Sequence, residues 1–272
     1  MTVWRYAAAT AIGTSHIGQG LPCQDYAKCI VTSDVENASV LLGVVSDGAG
    51  SAENSHIGSE LACTLFIEEA TAYLKTNPIT SIDSAITQGW LGNIRDAINR
   101  QAIADQKRPR DYACTFLAAI IGEIQAAFIQ IGDGAIVVSD IEESSWGWVF
   151  WPHKGEYANT TSFLTDENAL GKVSFETTNA PIVEVALFTD GIELLVLDYA
   201  TQTAFAPFYD KMFPAIRAST ANGMDNGLSL SLEKYLASPL VCDRTDDDKS
   251  LILATRRANP LSAQEPDTSP NG

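Results

Sequence analysis

The chain has 272 residues, 46% of them hydrophobic and 19% charged, enough to bury a substantial core in one large domain or two small ones. Its 17 basic residues against 34 acidic ones leave a net charge of −17, which excludes the basic footprint of a nucleic-acid binder. Such acidity suits a soluble protein that attracts cations or basic partners.

In chain order, residues 3–12 alternate as a first strand. This apolar run is too short to span a bilayer, so neither a signal peptide nor a transmembrane helix is expected, and the protein is read as cytoplasmic. A glycine-rich turn, GTSHIGQGLPCQD, follows, then strands over 26–31 and 39–46. From 54 to 75 the period changes: Ile57, Leu61 and Leu65 recur every fourth residue, the stripe of an amphipathic helix. A second helical pattern runs from about 81 to 104, making a helical hairpin. Residues 112–121 and 124–139 return to strand composition, with IGDG read as a hairpin turn. WGWVFW (146–151) reads as another strand, 152–180 as a polar, irregular flap and 182–188 as a strand. Residues 191–236 read as mostly helical, broken by Pro207, Pro214 and Gly223, before a last strand at 250–255. Strand runs and helix runs are segregated, which favours an α+β layered fold in one domain over residues 1–257. The Pro- and Ser-rich stretch 258–272 reads as a disordered tail. Cys23, Cys29, Cys63, Cys114 and Cys242 form no C-x-x-C pair, so idle thiols in a reducing compartment are expected rather than disulfides or zinc.

Three apolar runs each end in a small residue, an Asp and a Gly: Asp47-Gly48, Asp133-Gly134 and Asp190-Gly191. Alone, an Asp-Gly pair reads as a tight turn, and for Asp133, with strand-like residues on both sides, that reading is strong. Asp47 and Asp190 instead precede helix-compatible sequence, at strand ends where a rigid scaffold aims a side chain. Asp25 closes the glycine turn, and Asp246-Asp247-Asp248 stand just before the final strand. Adjacent like charges are tolerated when solvated or bound to a cation. Together these are carboxylates at strand ends with almost no His or Cys among them, and oxygen-only ligands select hard ions such as Mg²⁺ or Mn²⁺. Two such ions about 3.5–4 Å apart can clamp a phosphoryl group and activate a water. No Walker A loop, G-x-G-x-x-G loop or G-x-S-x-G elbow competes with them.

The order of these motifs resembles the protein phosphatase 2C family of metal-dependent Ser/Thr phosphatases, from about Gly13 to Ala254. The carriers are GTSHIGQGLPCQDYA, VVSDGAGS, CTFLAAII with FIQIGDGAIVV, LFTDGI and DDKSLILA. With GEYANTTSFLT (155–165), they are most similar to a bacterial subgroup. The resemblance implies a four-layer α-β-β-α sandwich: two antiparallel sheets flanked by helical pairs, with Mn²⁺ or Mg²⁺ in a cleft at one end. It implies two ions, and a third, weaker one. Asp47 would bridge the two, and Gly48 would offer its carbonyl. Asp190 and Asp247 would complete one shell, with Asp247 fitting the acidic run better than its neighbours. Asp25 would contact the cluster, and Asp133 with Asp190 would hold the third ion. The implied activity is hydrolysis of phosphoserine and phosphothreonine in proteins by a water activated between the metals. The implied partners are a phosphorylated protein and a cognate Ser/Thr kinase, with no nucleic acid or membrane. Where many members carry a phosphate-binding Arg, this chain has Gly20; Gln24, Ala49 and Gly134-Ala135 are further departures. His16, in the same turn, is the local candidate to meet the phosphate, the alternative being a turn histidine bonded to backbone. The rival reading is a phosphatase-like module that binds a partner or phosphopeptide without catalysis.

Overall fold

The computed structural model describes residues 2–140, 145–152 and 161–258. The elements run β1 (Thr2–Ala11), α1 (Thr14–Gln19), β2 (Tyr26–Ser33), β3 (Ser39–Ser46), α2 (Ser55–Leu74), α3 (Ser84–Ala104), β4 (Phe116–Ile121), β5 (Ala126–Ile131) and β6 (Ala135–Asp140). There follow β7 (Gly147–Trp148), β8 (Ser174–Thr178), β9 (Ile182–Phe188), α4 (Glu193–Val196), β10 (Leu197–Asp198), β11 (Thr203–Ala204), α5 (Ala206–Ala218), β12 (Gly223–Met224), α6 (Asn226–Leu236), α7 (Pro239–Cys242) and β13 (Lys249–Ala258).

A five-stranded sheet has the order β2-β3-β4-β5-β8, and a six-stranded sheet the order β12-β1-β13-β9-β6-β7. Pairing is antiparallel except at the short β1–β12 contact. The central strands are apolar on both faces because each sheet is covered twice. In β3, Val40, Leu42 and Val44 pack with Phe66, Leu91 and Ile94 of α2 and α3, while Leu41 and Val45 lie between the sheets. In β13, Ile252 and Ala254 face the sheet interface, while Leu251 and Leu253 meet Phe213 of α5 and Leu232 of α6. The period of two along each strand therefore sorts one run of apolar residues into two cores. The result is the expected α-β-β-α sandwich. Capping fixes where helices begin: Asp83 accepts from the Ile86 amide at 2.9 Å before α3, and Asp225 from the Leu228 amide at 3.0 Å before α6. No helix of the described residues is long and apolar enough to cross a membrane.

Several expectations need correction. The glycine turn contains a short helix, α1, closed by Gly20 in the left-handed region (φ 70°). The Gly-Asp-Gly segment is not a hairpin: β5 pairs with β4 and β8, whereas β6 pairs with β7 and β9. The chain thus crosses between the sheets there, and Gly132 (φ 95°) and Gly134 (φ 85°) supply backbone angles that side chains resist. A Cβ on Gly134 would also lie 2.6 Å from the Phe188 carbonyl oxygen. Of 146–151, only Gly147–Trp148 pairs as a strand. Part of the expected flap is regular, since SFETT (174–178) forms β8 at the sheet edge. Pro214 sits inside α5 rather than ending it. Residues 153–160 and the tail from 259 lie outside the described residues.

Register places the acidic motifs at one end of the sandwich. Tyr26 pairs with Ser46, Phe116 with Ile131, and Phe188 with both Ala135 and Leu251. The loops carrying Asp25, Asp47, Asp133, Asp190 and Asp247 all leave the strands at that edge.

Candidate metal centre

Asp47 leaves β3 with its backbone fixed on both sides. Its amide donates to Thr115 Oγ1 at 2.9 Å, and its carbonyl accepts from the Thr115 amide at 2.8 Å. The Gly48 amide donates to the Gln24 carbonyl at 3.1 Å, and a Cβ there would lie 2.7 Å from that oxygen, so the sequence needs glycine. Asp133 is held by the Thr161 hydroxyl, which donates to its Oδ2 at 2.6 Å. Asp190 starts the turn after β9. Asp47, Asp133 and Asp190 each offer an oxygen, and the three atoms lie within 4.8 Å of one another. Asp133, a turn by its residues alone but a third-ion ligand by the resemblance, is therefore part of the cluster, because the sheet-to-sheet crossing throws its side chain inward.

Asp25 is 5% exposed and accepts from Thr189 Oγ1 at 2.6 Å through Oδ2. Its Oδ1, like Oδ1 of Asp133, is buried with no hydrogen-bond partner. Burial pushes the Asp25 carboxyl up to about 7, with Asp248 and Asp247 adding repulsion. Asp190 rises to about 8, first by burial and then by Asp133 and Asp247. Asp47 is raised well above the carboxylate range by burial and by Asp25 and Asp190. Asp247 is exposed, yet the protein around its carboxyl also raises it. The cluster is short of positive charge. Orphaned oxygens and an all-oxygen donor set fit a hard divalent cation, which would satisfy both deficits.

The acidic run divides its labour. Asp248 is 1% exposed and saturated by protein donors: the Gly13 amide at 2.6 Å on Oδ1, and the Gln24 amide at 2.5 Å and His16 Nδ1 at 2.8 Å on Oδ2. Asp247 repels Asp25, Asp47 and Asp190, whereas Asp248, which also repels Asp25, spends both its oxygens on protein donors. His16 is 8% exposed, and with Nδ1 on Asp248, Nε2 is the nitrogen left for a ligand. Sequence reasoning missed Asp248 as an anchor, and also Thr115, Thr161 and Thr189. Glu193 was missed too; it accepts from the Gly134 amide at 2.9 Å and so braces the crossing. The threonine preceding Asp190 in LFTDGI was the one visible signal.

Comparison with known proteins defines the class as metal-dependent protein phosphatases. The model of the family described as Protein phosphatase 2C matches residues 12–237, and the chain belongs to that family. It is 35% identical over 254 residues to Serine/threonine-protein phosphatase 3 of Escherichia coli (strain K12), covering 92% of this chain and 98% of the relative. Among solved structures, the fold is similar to the catalytic domain of the serine/threonine phosphatase PstP in complex with 2 manganese ions (TM-score 0.59, 15% identity, 95% of this chain and 100% of that one). It is also similar to Stp1 from Staphylococcus aureus (TM-score 0.59, 14% identity, 93% and 95% coverage).

Proposed function

We infer that this chain is a Mn²⁺- or Mg²⁺-dependent protein phosphatase that hydrolyses phosphoserine and phosphothreonine. The observation that carries the reading is the meeting of Asp47, Asp133 and Asp190 oxygens within 4.8 Å at the edge of the sandwich. Asp47 and the Gly48 carbonyl, Asp190, Asp247 and Asp25 are the groups assigned to two ions, and Asp133 with Asp190 those for a third. When bound, the ions supply charge neutralisation at the phosphoryl oxygens and an activated water for in-line attack. The chain's own residues do the rest. Thr115 and Thr189 hold Asp47 and Asp25 in position, and Asp248 fixes the loop of Gly13, His16 and Gln24 beside them. His16 Nε2 is assigned to the substrate phosphate, since Gly20 offers no cation. The net charge of −17 supports a protein substrate over nucleic acid. The place of action assigned is the cytoplasm, in signalling opposite a Ser/Thr kinase and without a membrane partner.

The experiment is hydrolysis of a phosphoserine peptide and of p-nitrophenyl phosphate by the purified chain, with Mn²⁺ and with chelator. Turnover that requires the metal is expected. A chain that binds phosphopeptide yet hydrolyses neither compound with Mn²⁺ or Mg²⁺ would be the non-catalytic binding module instead.

A further inference from the structure

A groove of about 510 Å³ is lined by residues that follow two of the cluster's loops. Ala49 and Ala113 line it, together with Phe163 and Thr165. Both sets of residues are tied to the cluster. Ala49 lies two residues beyond Asp47, and its amide donates to the Ala113 carbonyl at 2.9 Å. Phe163 lies two residues beyond Thr161, whose hydroxyl holds Asp133. Phe163 packs on Ala49, Ala52 and Ala113, giving the groove an apolar patch. A peptide whose phosphoryl group sits over the aspartates thus has a channel for its neighbouring residues.

Two arginines stand on this groove, and they differ. Arg108 is neutralised by Asp111, with Nη2 to Oδ1 at 3.0 Å and Nε to Oδ2 at 3.3 Å. Arg110 is exposed and, among the described residues, its guanidinium makes no hydrogen bond or close ion pair; Asp111, gripped by Arg108, feels its charge without bonding to it. The nearby carboxylates are mostly engaged elsewhere. Asp111 holds Arg108, and Asp166 accepts from the Phe163 amide at 3.2 Å and pairs with Lys172 at 3.4 Å. Glu167 is the remaining acid on the groove. A chain of charge −17 repels a phosphorylated peptide at long range, so an exposed cation that makes no hydrogen bond on this groove has a say in which peptides stay.

We propose that this groove takes the residues flanking the phosphorylated side chain, and that Arg110 pairs there with an acidic side chain of the substrate. The proposal rests on the phosphatase reading and adds the substrate class: phosphosites with an acidic neighbour.

The test uses two phosphoserine peptides that differ only in carrying Glu or Ala beside the phosphoserine. Binding is measured by fluorescence polarisation and kcat/KM with Mn²⁺, for the wild type and for Arg110→Ala, Arg110→Lys and Arg110→Glu. An exposed ion pair corresponds to a wild-type preference of about 1.4-fold to fivefold for the Glu peptide. That preference should vanish in Arg110→Ala, persist in Arg110→Lys, reverse in Arg110→Glu and shrink at high salt. A wild type with no preference overturns the proposal. So does a preference that survives Arg110→Ala, or an equal loss on both peptides. Preferential binding without hydrolysis would instead overturn the phosphatase reading and leave the groove standing.

Discussion

Asp248 Oδ2 accepts from His16 Nδ1 at 2.8 Å across 232 residues of sequence, joining the loop before the last strand to the helix after the first. The same carboxylate takes the amides of Gly13 and Gln24, so one buried charge positions both His16 and the segment leading to Asp25. Charge-assisted bonds of this kind contribute about 1.5–3 kcal/mol each, and their loss leaves buried donors unpaired. Asp248→Ala should therefore destabilise the fold by about 3 kcal/mol and lower kcat/KM by tenfold or more. Denaturant titration and phosphopeptide kinetics measure both. A variant with unchanged stability and activity would remove Asp248 from this role.

His16 can be separated from its anchor. His16→Ala should lower kcat/KM on phosphopeptide while leaving the affinity for Mn²⁺ unchanged, because the aspartates stay in place. If Nε2 also hands a proton to the leaving group, the loss grows with leaving-group pKa and is worse for phosphoserine than for p-nitrophenyl phosphate. Equal losses would restrict it to binding, and no loss on either substrate would make it a turn residue.

Asp47→Asn and Asp190→Asn should each reduce hydrolysis by at least about a hundredfold, since a lost ligand charge weakens metal binding and water activation. Both should fold, and without metal both should be more stable than the wild type, because each removes repulsion from a cluster lacking counter-charge. Near-wild-type turnover in either folded variant would overturn its assignment as a metal-binding residue.

The raised carboxyls set a pH dependence. Asp25 moves from 3.8 to about 7 and Asp190 from 3.8 to about 8, and Asp47 moves in the same direction. Between the unfolded and folded values the native state holds protons that the unfolded chain has released. Stability of the metal-free protein should thus fall as pH rises from about 4 towards 8, by up to about 1.4 kcal/mol per pH unit for each such proton. Mn²⁺ should flatten the slope and raise Tm, adding about 2.7 kcal/mol at a hundredfold excess over Kd. Melting at pH 6, 7 and 8, with chelator and with Mn²⁺, checks this; a chelated protein whose Tm rises with pH contradicts it.

Glu184, fully buried at the other end of β9 from Asp190, accepts from Arg217 at 2.7 and 2.6 Å, Arg257 at 2.6 Å and Thr255 at 3.0 Å. Glu184→Ala leaves the two guanidinium groups without this partner and should cost about 3 kcal/mol. Activity per folded molecule should be retained, since none of these four bonds involves a residue of the acid cluster. A Tm within one degree of the wild type would show that the network contributes little.

Much of the site was legible because it is local. Each Asp-Gly pair follows an apolar run that can only be a buried strand, and a side chain at such a strand end is aimed by the core rather than by the loop. Periodicity likewise marked α2 and α3 and the strands 39–46 and 182–188 to within a few residues. The sequence by itself therefore determined the layers, the motif order and the acidic character of the site.

Only the tertiary structure decided which acids meet and in what role. Gly-Asp-Gly reads identically as a hairpin or as a crossing between sheets, because the choice depends on which strands lie alongside, and those are distant in sequence. That choice carries Asp133 into the cluster. Asp247 and Asp248 are chemically identical neighbours, and the turn before β13 buries Asp248 against Gly13, Gln24 and His16 while leaving Asp247 exposed. The threonines that brace the cluster, and the groove on which Arg110 stands, arise from loops of separate strands brought to one edge. A linear sequence records the chemistry of such groups but not the distances between them.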